Sequence, residues 1–346
     1  MTYAILTNPG HNRVYFETSL KLSISEFYIV SKKVSAECTN LQNRDLSGIP
    51  YLTFETNHEL SQSDIKIISD LSFVYALFKV EMGGADLLLR PIKKCEDYFI
   101  DESMSTILKY TGKTNELFTR MMINIGYHSQ NNSQNVKLLD PIAGKGTTLY
   151  EGFTRGYHAF GIEIGERIVN ESYHFVKRFL ETARYKFIYS SMRIPGQDKS
   201  SSAQRHTFTV AKTKADMKTK HTKTIELIAG NSQYADNYYK KNYFDMIVGD
   251  LPYGVQHGNV TNEKQSSLTR NPAELLDVCL PSWREVLKPN GVIVLAWNSN
   301  VLPRKKMEQI FLEKGLLVKN DEAYLQFEHR VDQSILRDIV VAQKNR

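Results

Sequence analysis

The sequence predicts an α/β chain with a mostly parallel sheet, preceded by a smaller α+β domain. Three observations carry this. After about residue 100, short apolar runs alternate with segments of helical periodicity. Two of those runs end on an aspartate, at Asp140 and Asp250. A glycine-rich stretch joins the first run to a helix, the punctuation of a βα unit. The 346 residues suit two domains, at roughly 100–200 residues each. They divide into an N-terminal domain over 1–100 and a second domain over 101–346.

The elements follow in order. Val14-Tyr15-Phe16-Glu17, Tyr51 to Phe54 and Phe73 to Val80 are aromatic and branched runs that predict strands. Lys21 to Val30 and Asp64 to Leu71 predict helices. Leu117, Phe118, Met121, Met122 and Ile125 recur at spacings of three and four, the mark of an amphipathic helix. Seven strands are then expected: Val136 to Leu139, His158 to Glu163, Ile225 to Ile228, Phe244 to Gly249, Gly291 to Ala296, Tyr324 to Phe327 and Ile335 to Ala342. Helices are expected at Thr147 to Arg155, Arg167 to Arg178, Pro272 to Leu287 and Arg304 to Glu313. Pro272 suits a first helical position. The last two strands have no helix between them, which predicts a closing antiparallel hairpin.

Charge is unevenly placed. The chain carries a formal +6. The stretch 190–224 alone accounts for it, with eight basic residues against two acidic, and the remainder is neutral. This basic insertion separates the second and third strands of the second domain. Clustered Lys and Arg are the electrostatic footprint of nucleic-acid binding, although Ser, Lys and Thr enrichment also suits a solvated loop. Within it, Arg205 to Val210 has strand character. No apolar run approaches the roughly 18 residues of a membrane helix. Met1 to Leu6 has no basic start leading into a long apolar run, so no signal peptide is expected. Cys38, Cys95 and Cys279 are few, odd in number and far apart. That predicts a cytoplasmic protein with no metal ligand set.

The first chemical motif is Asp140-Pro141-Ile142-Ala143-Gly144-Lys145-Gly146-Thr147-Thr148. Gly144 and Gly146 leave the backbone open to a ligand, and the following helix offers unpaired N–H groups to a carboxylate. The amino-acid end of S-adenosylmethionine suits that place, with Asp140 taking its ammonium. Glu163 stands 17 residues past Gly146. A carboxylate about 20 residues beyond such a turn grips ribose hydroxyls in nucleotide-binding folds. Two rivals match less well. A phosphate-binding loop needs Gly-Lys followed directly by Ser or Thr, and Gly146 intervenes. The dinucleotide fingerprint wants a third small residue where Leu149 stands. A turn without any ligand is the plain alternative.

The second motif is Asp250-Leu251-Pro252-Tyr253-Gly254. The exocyclic amine of a base is a poor nucleophile, because its lone pair is delocalised into the ring. Asp250 and a backbone carbonyl can accept its hydrogens, and Tyr253 can stack on an extruded base. The plain alternative is a Pro-Tyr-Gly turn with a locally packed ring.

Together these motifs resemble the amino-methylating branch of the Rossmann-like S-adenosylmethionine-dependent methyltransferases. With Leu251, the chain looks most like the tRNA guanine 2-amino methyltransferases that often carry a THUMP domain, the UPF0020-like group. Tyr110-Thr111-Gly112-Lys113-Thr114 is similar to the segment that closes over the methionine end of the cofactor in that group. The resemblance covers roughly residues 105–345 and implies a seven-stranded sheet. It implies Asp250, Pro252 and Tyr253 as catalytic residues. For the cofactor it implies Lys113, Asp140, Pro141, Ala143, Gly144, Gly146, Thr147, Glu163 and Asn231. Asn231 stands where the family often has an aspartate, and Lys145 where a small or polar residue is usual. The first hundred residues do not read as a THUMP domain. The implied partner is RNA, tRNA in particular, with no membrane. His329-Arg330-Val331-Asp332 is either a hairpin ion pair or a wall of the site, and His257 belongs to a substrate loop. A DNA adenine 6-amino methyltransferase and a non-catalytic nucleic-acid-binding module on the same fold are the competing readings.

Overall fold

The computed structural model describes residues 1–8, 13–84, 86–95, 97–108, 113–130, 135–196, 201–253 and 271–345, with the side chains of 13–19 outside that description. These residues form two compact units.

The first unit is 1–97 together with 321–327. Its elements are β1 (Thr2–Thr7), α1 (Arg13–Ser31), β2 (Cys38–Leu46), β3 (Ile49–Thr56), α2 (Gln62–Ser69), β4 (Val74–Gly83) and β5 (Asp86–Ile92). The strands form an antiparallel sheet in the order β2-β3-β1-β4-β5. Tyr3, Ile5, Leu52, Phe54 and Leu77 pack with Phe27 and Val30 of α1 and Ile65 and Ile68 of α2. Ser61 caps α2 with a reciprocal Ser61–Asp64 box. Val14 to Glu17, expected as a strand, is the start of α1. Its strand propensity is overridden because helix propagates cheaply from the periodic segment that follows. Tyr324 to Phe327, also expected as a strand, falls instead on a 3-10 turn, Glu322–Leu325, and packs with this unit. Apolar runs this short suit either state.

The second unit is 98–320 with 328–346. It contains α3 (Ser103–Thr106), α4 (Glu116–His128), β6 (Lys137–Asp140), α5 (Thr147–Thr154), β7 (His158–Glu163), α6 (Glu166–Thr182), β8 (Lys186–Ile194), β9 (Ala203–Ala211), α7 (Lys214–Lys218), β10 (Lys223–Ala229) and α8 (Ala235–Tyr238). β11 (Phe244–Asp250), α9 (Pro272–Val286), β12 (Leu287–Asn298), α10 (Arg304–Glu313), β13 (Leu316–Val318), β14 (His329–Arg330) and β15 (Leu336–Lys344) complete it. The sheet has ten strands rather than seven, in the order β13-β15-β12-β11-β6-β7-β10-β9-β8, with β14 beside β15. Six of the expected seven strands are present. β8 and β9 arise within the basic insertion, β13 is too short to leave a pattern, and β14 replaces the misplaced Tyr324 segment as the partner in the closing hairpin.

The five central strands run parallel, and the chain order reverses at β6. From there β7 and β10 lie to one side, and β11 and β12 to the other. Such a switch point opens a crevice at the carboxyl ends of the strands, where ligands bind in α/β sheets. Trp283, Leu276 and Leu280 of α9 with Phe311 and Met307 of α10 cover one face. Leu149 and Phe153 of α5 with Val169, Val176 and Leu180 of α6 cover the other. Gly161 lets α5 close on β7, since a Cβ there would lie 2.7 Å from Leu149 Cδ2 and 2.9 Å from Ala143 Cβ. Gly161→Ala is expected to cost about 1–3 kcal/mol by overpacking. Urea unfolding of the pure protein checks this, as a lowered midpoint at unchanged slope.

The described residues of the insertion extend the sheet. β9 pairs antiparallel with β10, and β8 with β9. It begins at Lys186, four residues before the basic stretch. Thr213 and Asp216 cap α7 with a second reciprocal box.

Candidate functional site

Parallel pairing of β6 with β11 brings the two motifs together. Leu138 stands opposite Met246 and Leu139 opposite Ile247, so both strands deliver their closing aspartates to one end of the sheet. Gly249 permits this closeness, because a Cβ there would lie 3.3 Å from Asp140 Oδ1 and 3.2 Å from Ile142.

In the first motif, Asp140 is 3% exposed. Its Oδ1 accepts the Ile142 N–H at 3.1 Å. Burial pushes its carboxyl up to about 7, against the hydrogen bonds from Thr148 and Ile142. No cation pairs with it among the described residues. The turn folds tightly: Ala143 N–H donates to Ile162 O, and Gly146 N–H to Ala143 O. Gly144 and Gly146 adopt φ of +51° and +90°. At Gly144 the place of a Cβ is open space. Gly146 is the N-cap of α5, and Thr147 opens the helix, buried. Pro141 lies between Asp140 and this turn. Glu163, at the end of β7, accepts from Gly144 N–H at 3.0 Å and Gly165 N–H at 2.8 Å. Burial raises its carboxyl, opposed by those N–H groups and that of Ile164. Asn231, just beyond β10, accepts from Gln233 N–H through its side chain, while its backbone N–H donates to the Tyr238 hydroxyl.

Lys113 lies in the segment ahead of α4. Its ammonium donates to Ser105 O and Leu108 O at 2.7 Å each and pairs with Glu116. All three of its protons are spent inside its own segment, so it clamps the approach to α4. Lys145 points to α6, pairing with Glu171 at 3.1 Å. Tyr110 to Gly112, Gly254 and His257 lie outside the described residues.

In the second motif, the Asp250 side chain is 15% exposed. The Tyr253 hydroxyl donates to it, 2.7 Å from each oxygen, and the Thr114 hydroxyl lies 3.0 Å from Oδ2. Burial raises the Asp250 carboxyl, while Arg337 and the two hydroxyls oppose the rise. Leu251 N–H continues the ladder to Ala296 O at 2.8 Å, and Pro252 is exposed beside it. Asn298 Nδ2 donates to the Tyr253 carbonyl at 3.3 Å.

Three residues here carry no functional role in the sequence, Phe118, Asn298 and Arg337, and Thr114 enters there only as part of the 110–114 segment. Strand alternation brings Val248 and Asp250 to one face, and Asn298 and its register partner Arg337 reach the same end of the sheet. The Arg337 guanidinium lies 4.3 Å from the Phe118 ring centroid, 5.1 Å from that of Tyr253 and 3.9 Å from Asp250 Oδ2. One signal in the sequence is a pair of charged residues, Arg337 and Asp338, inside an otherwise apolar run. The His329–Asp332 cluster does not act as one group. His329 packs on Phe118 at 5.5 Å, whereas Asp332 accepts the Ser334 and Ile335 N–H groups and shapes the hairpin.

The RMKL-like methyltransferase domain, UPF0020, matches residues 120–319, more than half of the chain. The chain belongs to this methyltransferase family. Solved structures with a similar fold include a putative rRNA methylase from Clostridium thermocellum, 14% identical over 60% of this chain and 88% of that one, TM-score 0.36. A SAM-dependent methyltransferase from Methanosarcina mazei is 14% identical over 62% and 94%, TM-score 0.36. The 1,6-didemethyltoxoflavin-N1-methyltransferase of Burkholderia thailandensis, solved with S-adenosylhomocysteine, is 10% identical over 61% and 72%, TM-score 0.34. No curated protein matches the chain. The chain is thus a methyltransferase with S-adenosylmethionine as its cofactor. The first motif suits that molecule on its own chemistry: a buried carboxylate lacking a counter-cation and an open glycine backbone await an ammonium and a carboxylate. No helix among the described residues is long and apolar enough to cross a membrane.

Proposed function

We propose that this methyltransferase modifies the exocyclic 2-amino group of a guanine in tRNA. The observation that carries the reading is Asp250, a carboxylate beside the cofactor turn whose oxygens hold only hydroxyl donors among the described residues. An incoming amino group would replace those donors, since it offers two N–H groups of the same kind. When bound, S-adenosylmethionine supplies an electrophilic methyl group. Asp140 would hold the ammonium of its amino-acid end, the N-terminus of α5 would take the carboxylate, and Pro141 and Ala143 shape the turn. Glu163 accepts the ribose hydroxyls on the lone pairs its two N–H donors leave, and Asn231 faces the adenine. Asp250 draws the acceptor hydrogens toward itself and restores the nitrogen lone pair. Tyr253 swings its hydroxyl clear and stacks on the base, while Pro252 stiffens the loop. Most of the acceleration then comes from orientation and fixed electrostatics.

RNA as the partner is supported by the sheet extension. Arg193 on β8 and Lys212, Lys214, Lys218 and Lys220 beyond β9 are all exposed. Positive charge clustered on this sheet extension and on the segment that follows it suits a phosphate backbone. The three cysteines are unpaired, which supports a cytoplasmic site of action.

Mass spectrometry of nucleosides from cells with and without the gene tests the reading. Loss of N2-methylguanosine from the tRNA fraction is the expected result. Unchanged tRNA with loss of methyladenine from DNA would overturn it.

A further inference from the structure

Arg337 is a buried cation with an unusual set of neighbours. Its side chain is 6% exposed. A guanidinium taken this far from water normally keeps acceptors for its N–H groups, because burying them unpaired is costly. Here Nε has no hydrogen-bond partner among the described residues. Two aromatic rings, Phe118 and Tyr253, hold the group in cation–π contact, and the Tyr253 side chain also hydrogen-bonds it. The nearest anion, Asp250 Oδ2, is 3.9 Å from Nη2, beyond hydrogen-bonding distance. The cation is therefore beside the carboxylate without being bonded to it.

That offset has a chemical use. A bonded arginine would occupy the carboxylate lone pairs that an acceptor amine needs. Coulomb attraction falls slowly with distance, so a cation set back by about an ångström still stabilises the charge and leaves the oxygens open. We propose that Arg337 is a positioning residue of the transfer site: its charge keeps Asp250 in the carboxylate form that accepts the acceptor N–H, and its stacking on Tyr253 sets the ring that the base lies on. The second half of this rests on the functional reading above, and the first half stands on the geometry of Asp250 alone.

The surroundings make the charge necessary. Asp250 faces the Tyr253 hydroxyl on its own loop, the Thr114 hydroxyl ahead of α4, Asp140 on β6 and Arg337 on β15. His329, the register partner of Arg337, lies against Phe118. Burial and the neighbouring Asp140 both favour a protonated Asp250. Arg337 opposes them with full charge, and the hydroxyls contribute only dipoles. A protonated Asp250 would turn a donor toward the amine and lose its function.

Carboxyl carbon NMR of protein labelled at aspartate tests the proposal directly, with the Asp250 signal assigned by its loss in Asp250→Asn. In the unaltered protein Asp250 is expected to titrate below neutrality. In Arg337→Gln its midpoint should rise by about one pH unit or more, a tenfold gain in proton affinity. Arg337→Lys should restore most of the difference, and Arg337→Met repeats the measurement should the glutamine variant fold poorly. An Asp250 midpoint above neutrality in the unaltered protein, or one unmoved in the neutral variants, would overturn the proposal. Methyl transfer from tritiated S-adenosylmethionine to the small-RNA fraction of cells lacking the gene supplies the second readout. The acid limb of kcat should move upward with the Asp250 midpoint. If the unaltered protein transfers nothing to that RNA, the substrate reading fails, while the NMR titration still decides the role of Arg337.

Discussion

Asp250→Ala is expected to bind S-adenosylmethionine as well as the unaltered protein and to transfer methyl groups about 10²–10³ times more slowly. The separation follows from geometry. The hydrogen-bond and ion-pair partners of Asp250 are Tyr253, Thr114 and Arg337, none of which belongs to the turn at 140–148, and Asp140 meets it only through like-charge repulsion. Removing the carboxylate leaves that turn as it is and takes away the group that polarises the acceptor. Asp250→Asn is the sharper variant. It keeps the volume and one oxygen but removes the charge that Arg337 faces. Isothermal titration with S-adenosylmethionine, paired with single-turnover transfer to the small-RNA fraction, reads both quantities. Transfer at the unaltered rate by either variant would remove Asp250 from the reaction.

Asp140→Asn should do the opposite and weaken cofactor binding by about 30- to 1000-fold, the loss expected when one partner of a buried charge pair is neutralised. The pH dependence has a definite sign. Free Asp140 titrates at about 7 because burial opposes its charge. A bound ammonium favours the charged form, so cofactor binding expels a proton from the fraction that carries one. Affinity should therefore fall by up to tenfold per unit below pH 7. Stability moves the other way in the absence of cofactor. The carboxyl ionises near 3.8 when unfolded and near 7 when folded, so the folded state binds the proton more tightly. Its contribution is complete below about pH 4 and is lost as pH rises through 7. The asparagine variant should thus melt higher than the unaltered protein at pH 8, despite its poor affinity. Calorimetry across pH 5–8 checks both, and a pH-independent affinity would exclude Asp140 as the ammonium ligand.

Much of the second unit was legible beforehand. A strand buried on both sides leaves a near-continuous apolar run, and β6, β7, β10, β11 and β12 all do so. Glycine at positive φ before a helix is equally plain, hence the turn at Gly144 and Gly146. Errors arose where a segment is short or ambiguous. β13 has three residues and β14 two. Val14 to Glu17 has strand composition but continues into a helix. Within the basic insertion Arg205 to Val210 has strand character and forms β9, whereas β8 has no counterpart in the expected elements.

The sequence by itself determined the family chemistry, because Asp140, Gly144, Gly146, Glu163 and Asp250 each stand at the end of a strand or in the turn after it. Backbone pattern alone locates such places. Only the tertiary structure decided what surrounds Asp250. Thr114 precedes a helix, Asn298 ends β12, and Arg337 lies in β15, so their meeting depends on strand order and register rather than on any local signal. Non-local pairing sets which cation faces a buried carboxylate, and no spacing along the chain records it.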